Sequence, residues 1–217
     1  MARVISIISL DRGNGKTTVA LNLGLALHQK NRRVLVFDAD FTKNNMIEHL
    51  SVSSLPVTIK QVLDNKAHMN EAIYRHITGL KLIPSIIHDY NNFSYYFEDL
   101  LADYDYIILD TPKEVSLLDV VLKNSDEAMI VHSPTYSSKI VADAIDMLSR
   151  RGIMNLGIIM NNSADNSADA LLDYPVIMKI PTDKYISKSF EMKNPVVHTH
   201  PGSNAARKFR ILAEMLL

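Results

Sequence analysis

Val4-Ile5-Ser6-Ile7-Ile8, followed after four intervening residues by Gly13-Asn14-Gly15-Lys16-Thr17-Thr18, decides the fold of this 217-residue chain. An apolar run ends, the backbone turns through two glycines, and a helical pattern begins at Lys16. The loop amides and the helix N-terminus then point at one place, where unsatisfied N–H groups and the helix dipole favour an anion. Gly-x-Gly-Lys-Thr in that setting predicts a phosphate-binding loop. Gly13, Asn14, Gly15 and Thr18 shape the cradle, Lys16 reaches the β- and γ-phosphates, and the Thr17 hydroxyl ligates Mg2+. The plain alternative is an ordinary strand-turn-helix link with a surface lysine. Its position after the first strand of an alternating chain weighs against that alternative.

Outward from this stretch, short β-rich runs alternate with helical patterns. Strands are expected at 4–8, 34–37, 80–84, 106–109, 128–132, 156–160 and 176–180. Helices are expected at 16–29, 58–64, 93–102, 117–123, 138–150 and 204–216. Most of the strand runs are continuously apolar, so both faces of the sheet should be covered. The alternation predicts an α/β fold, a doubly wound and mostly parallel sheet with helices on both faces, in one domain spanning residues 1–217. Ligands in such sheets bind beyond the carboxyl ends of the strands. The 11–17 loop, Asp38 to Asp40, Asp110 to Pro112 and Asn161 all fall at such ends.

Asp38-Ala39-Asp40 closes the run Val34-Leu35-Val36-Phe37, and Asp110 closes Tyr106-Ile107-Ile108-Leu109. Carboxylates at those positions sit where Mg2+ would neutralise phosphate charge, and the second run has the Walker B pattern. A single aspartate there is better read as a loop or cap residue. Two strand-end aspartates together with the phosphate loop favour nucleotide chemistry.

With these residues in place the chain resembles the MinD/ParA family of ATPases, whose deviant Walker A loop is Lys-Gly-Gly-x-Gly-Lys-Thr. Gly13, Gly15, Lys16 and Thr17 match it; Arg12 replaces its first glycine, and Asp11 stands at its signature lysine. Asn45 falls at the asparagine of the MinD pattern Asp-x-Asp-x-x-x-x-Asn, and Tyr104 to Pro112 is close to the family's Walker B and second switch. Lys113-Glu114 replaces the small pair usual after that proline. Ile180-Pro181-Thr182-Asp183 resembles the segment that packs on adenine, and 194–197 and 203–206 match the closing region. The resemblance spans nearly the whole chain, with MinD the nearer branch. It implies ATP or ADP with Mg2+ as ligands. Asp40 would orient the attacking water, Asp38 would support Mg2+ and the switch, and Asp110 would hold Mg2+. Asn161 would read the adenine edge, with Pro181 and Asp183 beside the base. It also implies slow hydrolysis that switches a monomer to an ATP-bound homodimer, and an unidentified protein partner. Arg12 is the candidate replacement for the missing lysine at the dimer contact. A scaffold that binds nucleotide with little or no hydrolysis is the second reading, kept open by Asp11.

Net charge is −1, so nothing global demands nucleic acid or an anionic membrane. Cysteine is absent, which excludes disulfides, iron–sulfur ligation and cysteine nucleophiles within the chain and argues against the cluster-bearing members of related families. The start, Met1-Ala2-Arg3, lacks a signal-peptide pattern, and no apolar stretch approaches the roughly 20 residues that span a bilayer. A cytoplasmic protein without a membrane anchor is expected. His198-Thr199-His200 lacks the further ligands a metal site needs. Arg207, Lys208 and Arg210 read as a solvated helix face in preference to a non-specific DNA contact. The aromatic stretch 91–96 reads as a helix start packing inward.

Overall fold

The computed structural model describes the chain apart from residues 12, 43, 44, 53, 86–93, 95, 96 and 164–173, and gives Asn45 and Asp99 by backbone alone. Its strands are β1 (Arg3–Ile8), β2 (Val34–Asp38), β3 (Tyr74–Arg75), β4 (Lys81–Ile83), β5 (Tyr106–Asp110), β6 (Glu127–His132), β7 (Met154–Ser163) and β8 (Val176–Pro181). The helices are α1 (Lys16–His28), α2 (Asn45–Leu50), α3 (Ile59–Leu63), α4 (Val115–Leu122), α5 (Lys139–Arg150), α6 (Lys184–Glu191), α7 (Val196–Thr199) and α8 (Asn204–Glu214). The strands form one sheet in the order β3-β4-β2-β5-β1-β6-β7-β8. Every pairing is parallel except the edge pair β3–β4. The carboxyl ends of the parallel strands therefore share one edge of the sheet.

Period-two alternation distributes each strand between two cores. Ile5, Ile7, Val36 and Ile108 face a core closed by α1, α7 and α8. Val4, Leu35, Phe37, Ile107 and Leu109 face a second, and Ile8, Ile130 and Ile158 a third beneath α4 and α5. This double burial explains why the strands read as unbroken apolar runs. Helix α1 is buried over most of its circumference, Val19 through Leu27 without a break, because α8 lies across the side away from the sheet. Gly24 lets it approach β2: a Cβ there would stand 2.3 Å from Val36 Cγ2.

The expected strands are all present, with ends shifted by a few residues, most of all at 156–160, which extends to Met154–Ser163. Asn161 consequently lies inside a strand and not beyond it. Strand β3 and helices α2, α6 and α7 were not expected; each is too short for its period to stand out. The expected helix at 93–102 is described only in part, ending in a 3₁₀ turn, Glu98–Leu100; of the aromatic stretch 91–96, only Ser94 is described.

Candidate functional site

The 9–15 loop is stapled from inside. Ser9 Oγ accepts hydrogen bonds from the Asp11 amide at 3.3 Å and from Asn14 Nδ2 at 2.6 Å. Asn14 is 2% exposed, and its Nδ2 also reaches the Val131 carbonyl on β6 at 3.5 Å. From β7, Asn161 Nδ2 donates to the Asn14 carbonyl at 2.7 Å. Gly15 caps α1 in the left-handed region, φ 85°, and a Cβ there would stand 2.3 Å from Asn161 Nδ2. Glycine is needed at 15 for both its φ and its missing side chain. Gly13 also has a positive φ, 74°, with the Tyr136 phenol the nearest group to where its Cβ would be.

Lys16 opens the helix as a half-buried residue in its first turn. Thr18, two residues on, is also half-buried. Thr17 is buried, and its hydroxyl donates to Asp110 Oδ2 at 2.5 Å. Asp110 pairs in register with Asp38 across β2 and β5, so the two carboxylates lie side by side at 1% and 0% exposure. Burial, then the charge of Asp110, raises the Asp38 pKa well above the usual carboxylate range. The amides of Asp40 and Met46, at 3.1 and 3.3 Å from its two oxygens, act in the opposite direction. Asp40 Oδ1 accepts from both the amide and the hydroxyl of Thr42, the latter at 2.5 Å. Two buried carboxylates beside a hydroxyl and a helix N-terminus form an arrangement that a divalent cation would neutralise.

The other expected residues sit at or near the same edge. Pro181 ends β8, half-buried. The Asp183 carboxylate caps α6, accepting from the Tyr185 amide at 2.9 Å, and joins α8 through the Ala205 amide at 3.1 Å. Arg12 lies outside the described residues, as does the Asn45 side chain. Asp11 faces inward: its charge acts on the buried His132 at the end of β6, where burial nonetheless holds the imidazole pKa below its ordinary value. Ser9, Asn161 as a loop staple, and His132 were not anticipated in these roles, because each acts through a contact between residues distant in the chain. Among the described residues no cluster of three or more His, Asp or Glu side chains forms a metal cage. His200 instead meets the Thr199 hydroxyl at 3.0 Å and the Tyr185 ring at 4.5 Å.

A parallel sheet whose first strand runs through a glycine loop into a buried helix, with acidic strand ends alongside, defines a P-loop nucleotide-hydrolase fold. The AAA domain family model matches residues 2–150, and the chain belongs to the MinD/ParA family of P-loop ATPases. An uncharacterised ATP-binding protein of Methanocaldococcus jannaschii is 29% identical, over all of this chain and 88% of the relative. The septum site-determining protein MinD of Synechocystis is 28% identical over all of this chain and 90% of that protein. The structure of Pyrococcus horikoshii MinD, complexed with Mg-ADP, superposes with a TM-score of 0.89 at 29% identity, covering 100% of this chain and 96% of the other.

Proposed function

We propose that this protein is a single-domain, Mg2+-dependent ATPase of the cytoplasm that uses ATP to switch between a monomer and a homodimer, and so positions or assembles a cellular structure through a protein partner. The observation that carries the reading is the Thr17–Asp110 contact at 2.5 Å with buried Asp38 beside it. These groups fit Mg2+: the cation offsets the charge that Asp38 and Asp110 cannot both keep in a dry site, and supplies electrostatic stabilisation to the transferring phosphoryl group. Thr17, Asp38 and Asp110 would hold it. The amides at 13–18 and Lys16 bind the phosphates, where preorganised donors act on the charge that develops in the transition state. Arg12 adds a guanidinium to that set. Asp40 orients the attacking water. Asn161, its amide nitrogen committed to the Asn14 carbonyl, turns its oxygen to the exocyclic amine of adenine, and Pro181 and Asp183 border the base.

The test is ATP turnover with a parallel mass measurement, with and without ATP, on the parent, Lys16→Ala and Asp40→Ala proteins. Turnover with ATP-dependent dimerisation is expected for the parent. Lys16→Ala should lose binding or turnover, and Asp40→Ala should keep ATP bound but hydrolyse it more slowly. Unchanged turnover in Lys16→Ala would overturn the phosphate-loop reading. One observation favours a second reading, a nucleotide-holding scaffold with little hydrolysis: Asp11 puts a carboxylate, one oxygen of it buried, in the loop where the family has its signature lysine. Tight ATP binding with neither turnover nor dimerisation in the parent would put that reading first.

A further inference from the structure

The opposite end of α1 from the phosphate loop carries a second concentration of charge. A cavity of about 450 Å3 opens there, lined by Arg32, Arg33, Arg75, Lys81, Asp103 and Tyr104. Arg32 and Arg33 follow the carbonyl end of α1, where cations complement the helix dipole, so local electrostatics accounts for those two. Arg33 is also paired with Asp105 at 2.7 Å. Arg75 and Lys81 have no such account. They come from β3 and β4, where the antiparallel register sets them directly opposite each other. Facing like charges on an antiparallel ladder destabilise it. Among the described residues no carboxylate lies within ion-pair distance of Arg32, Arg75 or Lys81. The Lys81 ammonium rests 5.2 Å from the centroid of the Tyr104 ring, which forms a wall of the cavity.

Three cations with no ion-pair partner among the described residues, Arg32, Arg75 and Lys81, together with Arg33 held by Asp105, thus surround one cavity lined by a single carboxylate, Asp103, on a chain whose net charge is −1. The positive potential is local to the cavity and not a property of the whole surface, which favours a compact ligand over a long polyanion. The volume suits a small molecule. Guanidinium groups grip oxyanions through forked hydrogen bonds, and several around one site neutralise more than one charge. We infer that this cavity binds a small phosphate-bearing anion with at least two negative charges, at a site separate from the phosphate loop. Bound there, the anion relieves the Arg75–Lys81 repulsion. At 1.5 Å per residue, α1 separates the two sites by about 20 Å.

Inorganic pyrophosphate, titrated calorimetrically at fixed ionic strength without Mg2+, serves as the probe. It is titrated into the parent protein, Lys16→Ala, Arg75→Gln/Lys81→Gln, and the triple variant. Arg75 and Lys81 are exposed, so their replacement should leave the fold intact, to be checked by thermal unfolding. Lys16→Ala should retain one pyrophosphate site. Adding Arg75→Gln/Lys81→Gln should weaken that site by about tenfold or more, the loss expected for charge-assisted hydrogen bonds. Arg75→Lys/Lys81→Arg in the same background should preserve it. Arg75→Gln/Lys81→Gln alone should leave ATP turnover unchanged. The inference is overturned if Lys16→Ala binds no pyrophosphate, if the triple variant binds as tightly as Lys16→Ala, or if duplex DNA binds through Arg75 and Lys81 while pyrophosphate does not. None of these outcomes depends on whether the parent hydrolyses ATP.

Discussion

Gly15 is where the backbone and the side chains of the site constrain one another most tightly. Its φ of 85° is strained for any L side chain, and an added methyl would displace the Asn161 amide that holds the Asn14 carbonyl. Gly15→Ala should therefore cost about 1–3 kcal/mol of stability. It should also weaken nucleotide binding by more than the loss of stability alone explains. Denaturant unfolding with ADP titration on the same samples measures both, and undiminished ADP affinity would show that the staple does not shape the cradle. At this scale the sequence was informative wherever chemistry depends on local order. Gly13, Gly15, Lys16 and Thr17 could be placed from their spacing, and Asp38 and Asp110 from the apolar runs they close. It was silent wherever two distant residues make the contact. Asn161 and Asn14 are 147 positions apart, and nothing in either neighbourhood announces that one amide holds the other's carbonyl. The burial of an Asp11 carboxylate oxygen was hidden for the same reason.

Helix α2 ties the carboxylate pair to the molecular surface. At its start the Met46 amide donates to Asp38, and at its end Lys193 donates to the Glu48 carbonyl at 2.8 Å. One residue beyond Glu48, His49 packs edge-on against Phe190 at 4.8 Å. Burial and then the nearby Lys193 charge lower its pKa to about 4. With the folded value depressed, the unfolded chain binds more protons between about pH 4 and 6.5. Stability from this residue is therefore fully present above pH 6.5 and is lost on acidification. The whole shift corresponds to about 3 kcal/mol. His76 and His132, also lowered, change stability in the same direction, while the raised Asp38 opposes them. The prediction is therefore a difference: His49→Gln should lose less stability than the parent between pH 7 and 5 in urea unfolding, and parallel curves would refute it. That α2 and α6 escaped sequence reading while the central strands did not has a physical cause. A strand buried on both faces is legible because every residue is apolar, whereas a helix of six or eight residues offers barely two turns of period.

At the scale of the whole molecule, α1 depends on α8. Phe209, fully buried, belongs to the core shared by α1, α8 and the inner strands. Phe209→Ala should cost about 3–5 kcal/mol through lost burial and the cavity left behind. The cost should appear as a lower denaturant midpoint with the m-value unchanged; a shift below 1 kcal/mol would mean that α8 is a covering and not a support. The layered architecture was legible from alternation alone, but this partnership was not, since it joins the first helix to the last. The sheet order has a consequence for how the chain comes to be folded. Strand β1 is made first, yet it ends between β5 and β6, and the helix that follows it stays uncovered until α8 has been synthesised. No early portion of the nascent chain can complete the phosphate loop, because the Val131 and Asn161 contacts that hold it emerge much later. During synthesis a helix that is buried over most of its circumference in the folded protein waits, exposed, for partners at the far end of the message. The long-range closures that set the folding rate also set the interval in which the newborn chain is open to aggregation and in need of a chaperone.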